Sequence, residues 1–201
     1  MNMQMINTAI EFTQTALAMS ARHAVIKYNL TRVNTTDLNL VPSTGKAIFT
    51  MFNSPNFFVL KTEQVNNPLL GLEANDNYRF LHDLDHALNY ESGHGTVSLK
   101  DEMYLNCLMS KRVFDMLNQV AMKCDRKTAL YAAVIVFCDL IEQARYYDKY
   151  RTFLTQQAPF ILSCLKQYDY IFNMIDAGQT FNATQELMLL WRECGVMVGG
   201  R

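Results

Sequence analysis

The sequence lacks the features that would assign it to several common classes of protein. Its five cysteines are widely spaced and form no Cys-x-x-Cys pair, which argues against a disulfide framework and against a cysteine-based zinc site. It has no run of lysine or arginine and a net charge of -1, so it has no basic surplus for binding nucleic acid non-specifically. Because unpaired thiols are the default of a reducing compartment, we expect a cytoplasmic protein.

No apolar stretch is long enough to cross a bilayer. The best candidate runs from Ala129 to Cys138, and Asp139 and Glu142 close it, whereas a spanning helix needs about 20 apolar residues. Near the start of the sequence, no basic segment precedes an apolar core, so we expect no signal peptide. The apolar run is therefore predicted to be the most buried helix of a globular domain.

Helical periodicity extends over most of the chain and predicts an all-α fold. We expect one domain over residues 1–201, a bundle of about six helices with an irregular segment at about 30–75. That segment is interpreted either as a lid over a site or as an ordinary connection, and it should contain a short helix at 47–52 and a short strand at 55–61. The six helices are predicted at 3–29, 75–91, 98–123, 125–154, 159–177 and 182–194.

Residues 79–94 concentrate the side chains that carry chemistry, including three of the four histidines. His82 and His86 are four residues apart, so a helix presents both imidazoles on one face, one turn apart. This is the spacing with which a helix offers two nitrogen ligands to one metal ion. Asp83 and Asp85 lie beside them as candidate ligands, and Asp85 could instead orient an imidazole or act in catalysis.

The turn after this helix and the start of the next helix offer two further groups. His94 stands between two glycines, and three roles remain open for it: a further ligand, a catalytic base or a polar turn residue. Ser98 is the predicted N-cap of the next helix, with Asp101 at the position that closes a capping box. Glu102 is the simplest acid to reach back to the histidines, although both acids could merely complement the helix dipole.

These residues predict a metal centre. Histidines and carboxylates together suit zinc, iron or manganese, and an open coordination position would activate water or dioxygen. We therefore expect a metal-binding protein. Such a site would suit a metal-dependent enzyme, of hydrolytic or oxidative type, that acts on a small molecule. The predicted metal ligands are His82, Asp83, His86 and Glu102, and the predicted catalytic residues are His94 and Asp85.

The stretch His82-Asp-Leu-Asp-His86 resembles the ubiquinone-biosynthesis family with an HDxxH…E metal motif, a mainly helical family. The resemblance covers about residues 79–102, and the HDxxH element matches at both histidines and at Asp83. The family's glutamate lies twelve residues after the second histidine, where this chain has Ser98, and the nearest downstream glutamate is Glu102. The resemblance implies a metal ion held by the histidines and Asp83, and an apolar or prenylated ligand.

The adjacent pair His82-Asp83 also resembles the paired ligands of the HD-domain phosphohydrolases, which are all-α as well. That family uses an earlier histidine and a later aspartate, for which His23 and Asp139 are available. The resemblance implies hydrolysis of a nucleotide phosphate. Considered apart from this resemblance, His23 fits a surface position near the end of a helix. Glu142, which lies near Asp139, fits an ion pair with Arg145.

A third interpretation needs no enzyme. The chain has 12 methionines, 10 tyrosines and 12 phenylalanines, which provide adaptable apolar surface for a partner protein. This composition is like that of many small bacteriophage proteins, and it would suit an interaction protein that binds a host factor, with a structural His/Asp cluster. The sequence leaves open an apolar ligand, a protein partner and a homo-oligomer, and it predicts no nucleic-acid partner.

Overall fold

The computed structural model describes residues 2–61, 71–152 and 157–197. Within these ranges the chain is mainly helical, as predicted, with eight α-helices and one pair of short strands. The elements in chain order are α1 (Met3–Tyr28), β1 (Thr31–Thr35), α2 (Gly45–Phe52), β2 (Asn56–Leu60), α3 (Gly71–Asn89), α4 (Leu99–Leu117), a 3-10 turn (Val120–Met122), α5 (Arg126–Tyr150), α6 (Gln157–Gln167), α7 (Asp169–Asp176) and α8 (Thr180–Glu193).

Helix α5 forms the centre of the core. Every residue from Thr128 to Ile141 is buried, and the helix contacts α1, α4, α6, α7 and α8. A helix that is apolar on all sides needs neighbours on all sides, and the apolar run predicted to be most buried lies in this stretch. Across the described parts of the chain, no helix combines the length and the apolar character needed to cross a membrane.

The segment predicted to be irregular contains more structure than expected. Strands β1 and β2 pair in parallel, with Val33 opposite Phe58, and α2 connects them. Parallel strands cannot be joined by a tight turn, so the chain needs a crossover, which α2 provides. The predicted short helix and short strand are confirmed as α2 and β2, whereas β1 was missed because Thr31–Thr35 is mostly polar.

Strand β2 packs this unit against α3. Phe57 and Val59 are both fully buried, and the ring of Phe57 meets the ring of Phe80 edge-on, with centroids 5.5 Å apart. Alternate residues of a strand face the same side, so both side chains point into the core. The unit β1–α2–β2 is therefore attached to the helix that carries the two histidines.

Helices α3 and α4 form the hairpin on which the candidate site lies. The hydroxyl of Ser98 accepts a hydrogen bond from the Asp101 amide at 3.3 Å, which confirms the predicted N-cap of α4. Asp101 does not complete the box, because its carboxylate accepts instead from the amide of Thr96 at 3.1 Å. The first turn of α4 is thereby fixed against the loop that follows α3.

Several predicted helix boundaries are wrong. Helix α4 ends at Leu117 because the Asn118 side chain donates to the Phe114 carbonyl at 2.6 Å, and a 3-10 turn follows. The helix predicted at 159–177 is divided into α6 and α7 at Tyr168, and α8 begins before Asn182. Residue 154, the predicted end of α5, lies outside the described residues. All five cysteines are unpaired thiols.

Candidate metal centre

Three side chains from α3 and α4 bring their ligand atoms together. The Nε2 atom of His82 lies 3.2 Å from Nε2 of His86 and 3.0 Å from Oε2 of Glu102, and Nε2 of His86 lies 3.3 Å from Oε1 of Glu102. Donors bound tetrahedrally to one zinc ion at about 2.0 Å are about 3.3 Å apart. The donor atoms of the three side chains therefore lie close enough together to hold one metal ion.

This cluster is unique within the part of the chain that is described. Among those residues, no other group of three His, Cys, Asp or Glu side chains offers ligand atoms that all lie within 4.8 Å of one another. The cluster joins two residues of α3 to one residue in the first turn of α4. It follows from the i, i+4 spacing of the histidines and from the hairpin that returns Glu102 to them.

The ring of His86 has a fixed tautomer. Its Nδ1 atom lies 3.2 Å from the carbonyl oxygen of Gly95, and a carbonyl can only accept, so Nδ1 carries the proton. In the neutral ring, Nε2 then presents a lone pair to the Glu102 carboxylate. Metal-binding histidines are commonly held in this way, with the second nitrogen donating to a carbonyl or carboxylate.

The three converging atoms need positive charge between them. If His86 is neutral, the only N–H available between the three side chains belongs to His82, and it cannot satisfy both a lone pair of His86 and the Glu102 carboxylate. A second proton on His86 would give a hydrogen-bonded His–Glu–His cluster. A divalent cation would satisfy all three atoms at once, and these are the two forms that the geometry accommodates.

His82 is held less firmly than His86. Its Nδ1 atom is buried and has no hydrogen-bond partner among the described residues. Its ring stacks instead on Tyr78, with centroids 5.4 Å apart and an angle of 27° between the planes. The Tyr78 hydroxyl donates to the side-chain oxygen of Asn106 at 3.0 Å, which fixes the tyrosine against α4.

The cluster is closed on one side and open on the other. The exposed fraction of the side chain is 2% for His86, 14% for His82 and 26% for Glu102. Structural zinc sites are usually closed by four protein ligands, whereas catalytic sites have three and keep one position for water or substrate. Three ligands with solvent access beside the carboxylate match the second arrangement.

The charges of the cluster stabilise one another. Burial alone would raise the pKa of Glu102, but the two imidazoles outweigh this effect and hold that pKa well below its usual range. Burial alone would lower the pKa of His82, but the charge and hydrogen bond of Glu102 raise it above its ordinary value. Glu102 is therefore ionised near neutral pH, as a carboxylate ligand must be.

Asp83 and Asp85 lie outside the cluster. Asp83 directly follows His82, and consecutive residues of a helix are turned by about 100°, so Asp83 does not share the histidine face. Asp85 is three residues after His82, but its carboxylate contacts Arg112 on α4 instead. Burial raises the pKa of Asp83, which we predicted to be a ligand, to about 6. Asp85, which we predicted to act in catalysis, is 3% exposed and pairs with Arg112 through both carboxylate oxygens. Its oxygens are therefore committed to a structural ion pair.

His94 also lies outside the cluster. Its Nδ1 atom is 3.5 Å from Oδ1 of Asp101, and its ring stacks on Tyr104 with centroids 4.6 Å apart. The two acids of the first turn of α4 thus face different histidines: Asp101 faces His94 and Glu102 faces the pair. His94 is therefore not a member of the three-residue cluster, and its predicted role as a catalytic base stays a prediction.

The ligand set of an HD-domain phosphohydrolase is not assembled in the described part of the chain. His23 is exposed on α1, and the buried Asp139 accepts a hydrogen bond from Gln143 on its own helix. Neither residue joins the cluster. The predicted pair of Glu142 with Arg145 is confirmed, with Nη1 and Oε1 2.6 Å apart.

Two groups that support the site were missed at the level of sequence. Tyr78 precedes His82 by four residues and so shares its helix face, which is a signal that the spacing contains. The carbonyl of Gly95 gives no such signal, because its position depends on how the loop folds back over α3. Comparison with known proteins gave no match to a family model, a curated protein or a solved structure, so both family resemblances stay predictions.

Proposed function

We propose that this protein binds one divalent metal ion through His82, His86 and Glu102 and acts as a metal-dependent enzyme on a small molecule. The observation that supports this most directly is the approach of the three side chains: the two Nε2 atoms are 3.2 Å apart, and each lies within 3.3 Å of a carboxylate oxygen of Glu102. Two histidines and one carboxylate form the ligand set of catalytic zinc sites and of non-haem iron oxygenases. The donors therefore suit zinc, iron and manganese.

The chain's own residues divide the work of such a site. His82 and His86 would supply neutral nitrogen donors, and Glu102 would supply one negative charge against the cation. The Gly95 carbonyl orients His86, and Tyr78 supports the ring of His82. A bound metal would supply Lewis acidity, or the activation of water or dioxygen, at the position left open beside Glu102. The identity of the metal decides between hydrolytic and oxidative chemistry.

Elemental analysis of the protein, purified without a histidine tag or chelators, tests this proposal. We expect about one zinc, iron or manganese ion per chain, and we expect the His86→Ala variant to lose it. The matched control is His23→Ala, because His23 is exposed and lies outside the cluster. Circular dichroism shows whether each variant is folded.

Two results would contradict the proposal. Equal metal content in the wild type, His86→Ala and His23→Ala would mean that any bound metal lies elsewhere. A folded wild type that binds none of the three metals, even after incubation with each, would mean that the cluster is a hydrogen-bonded His–Glu–His group. The protein would then be interpreted as a non-enzymatic interaction protein.

A further inference from the structure

Two glycines make close backbone contacts behind His86. A Cβ atom on Gly45, the first residue of α2, would lie 2.0 Å from the carbonyl oxygen of Gly95 and 3.2 Å from Cα of Thr96. A Cβ atom on Gly95 would lie 2.3 Å from the carbonyl oxygen of His86 and 2.4 Å from Cα of Tyr90. Both positions therefore require glycine for space, and neither has a backbone in the left-handed region.

Helix α2 is held against this part of the hairpin by its side chains. The ring of Phe49 stacks on the ring of Tyr90, with centroids 5.1 Å apart and 23° between the planes. Ile48 and Met51 are buried on the same helix, and α2 contacts both α3 and β2. The position of Gly45 is therefore set by a docked helix, which cannot move aside freely.

We propose that Gly45 is a positioning residue for the metal centre, which allows α2 to pack on Gly95 and so fixes the carbonyl that orients His86. This inference rests on the proposed function. The line of contacts runs from Gly45 to the Gly95 oxygen and from there to Nδ1 of His86 at 3.2 Å. On the far side of the loop, Asp101 accepts from the Thr96 amide at 3.1 Å, so the peptide is held from two directions.

The distances show why a single methyl group matters here. The 2.0 Å separation between a Cβ on Gly45 and the Gly95 oxygen would have to open to at least 3.0 Å, a movement of about 1 Å. The hydrogen bond from His86 is already at the long end of the normal range, so such a movement breaks or redirects it. The segment that the sequence left open as a lid or a connection thus supports the site from behind.

The test compares Gly45→Ala with the wild type in zinc affinity and in the visible spectrum of the cobalt(II)-substituted protein. Loss of an outer partner of a metal-binding histidine typically weakens metal affinity by about 10- to 100-fold. We expect a loss of this size in Gly45→Ala, together with a changed cobalt spectrum, because His86 is no longer held in place. Competition with a chromophoric chelator measures the affinity.

Two controls separate positioning from general destabilisation. Gly178→Ala places a side chain where φ is +78° and where nothing lies within 4 Å, so it strains the backbone far from the cluster. Lys46→Ala alters an exposed neighbour of Gly45 on the same helix. We expect wild-type zinc affinity and an unchanged cobalt spectrum in both.

The outcomes distinguish a failure of this inference from a failure of the proposed metal-binding function. If wild type and Gly45→Ala bind zinc equally and have the same cobalt spectrum, Gly45 is only a packing residue and the inference is overturned. If the wild type binds no metal, the proposed function itself fails. Should Gly45→Ala not fold, Phe49→Leu removes the stack on Tyr90 and keeps the glycine, and unchanged zinc affinity in that variant overturns the inference as well.

Discussion

Arg112 binds both carboxylate oxygens of Asp85, with Nη1 2.8 Å from Oδ2 and Nη2 2.5 Å from Oδ1. Asp85 is almost completely buried and precedes His86 directly, whereas the side chain of Arg112 is 27% exposed. The ion pair thus joins α3 to α4 beside the candidate metal ligands. Because Arg112 engages both oxygens of this buried carboxylate, we assign the pair a structural role, that of holding the hairpin together.

Replacing Arg112 with leucine should therefore destabilise the fold. The Asp85 carboxylate would stay buried without its partner, which costs about 3–5 kcal/mol for a fully buried pair and about 2 kcal/mol or more here, since Arg112 is partly exposed. The double variant Asp85→Leu/Arg112→Leu should recover much of this loss, because an apolar pair replaces both charges. Urea denaturation measures the free energy of unfolding.

The same pair gives a check on the assignment of the site. Asp85→Asn should lower stability but leave the metal content of the folded protein unchanged. If the Asp85→Asn variant instead has wild-type stability but has lost its metal, Asp85 takes part in metal binding. That result would contradict its assignment as a structural residue.

The two histidines should differ in how much metal affinity depends on them. His86 is 2% exposed and its Nδ1 atom donates to Gly95, whereas the Nδ1 atom of His82 has no partner among the described residues. A ligand that is already oriented gives up less conformational entropy when metal binds. His86→Ala should therefore weaken zinc binding more than His82→Ala, as measured by chelator competition at one pH.

The comparison has a clear contrary result. If His82→Ala weakens binding as much as His86→Ala or more, the anchor on Gly95 does not contribute to affinity. Tyr78→Leu, which removes the ring stacked on His82, should have a smaller effect than either, because it leaves all three ligands in place.

The sequence was sufficient to predict the parts of the site that depend on local geometry. The spacing of His82 and His86 fixes their common face once the helix forms, and the cap at Ser98 sets where α4 begins. A short loop between the helices then returns Glu102 to the histidines. Each of these steps depends on residues that are close in the chain, so periodicity and capping chemistry were enough.

The parts that were missed depend on contacts between distant segments. Nothing local to Asp85 indicates that Arg112 will reach it, because that depends on how α4 is rotated about its own axis. The contact of Gly45 with Gly95 and the parallel pairing of β1 with β2 are likewise set by tertiary packing. A single sequence therefore predicted that both histidines and Glu102 would cluster, but it could not separate them from a neighbouring acid that forms an ion pair.

A buried hydrogen bond links α8 to the central helices. The indole Nε1 of Trp191 donates to the Ser110 hydroxyl at 3.0 Å, and that hydroxyl donates to the carbonyl of Ala133 at 2.7 Å. Ser110→Ala would leave the indole N–H buried without its acceptor, at a cost of about 1–3 kcal/mol. Trp191 is the only tryptophan, so its fluorescence during urea denaturation reports the change.

The control for that variant is another helical serine. Ser163 lies exposed on α6, so Ser163→Ala should change the free energy of unfolding by no more than about 0.5 kcal/mol. Equal effects of the two substitutions would show that the bond between Trp191 and Ser110 contributes nothing to stability.

Removal of the metal should leave the fold intact. The core is built around α5, whereas the cluster lies between α3 and α4 and is open beside Glu102. A structural zinc would be needed for folding, whereas an ion in an open site adds only the free energy of its own binding. After dialysis against a chelator, we expect an unchanged circular dichroism spectrum and a modestly lower Tm, both restored by adding zinc. A loss of helical structure on chelation would show instead that the ion is structural, and the proposal of an open, enzymatic site would then have to be abandoned.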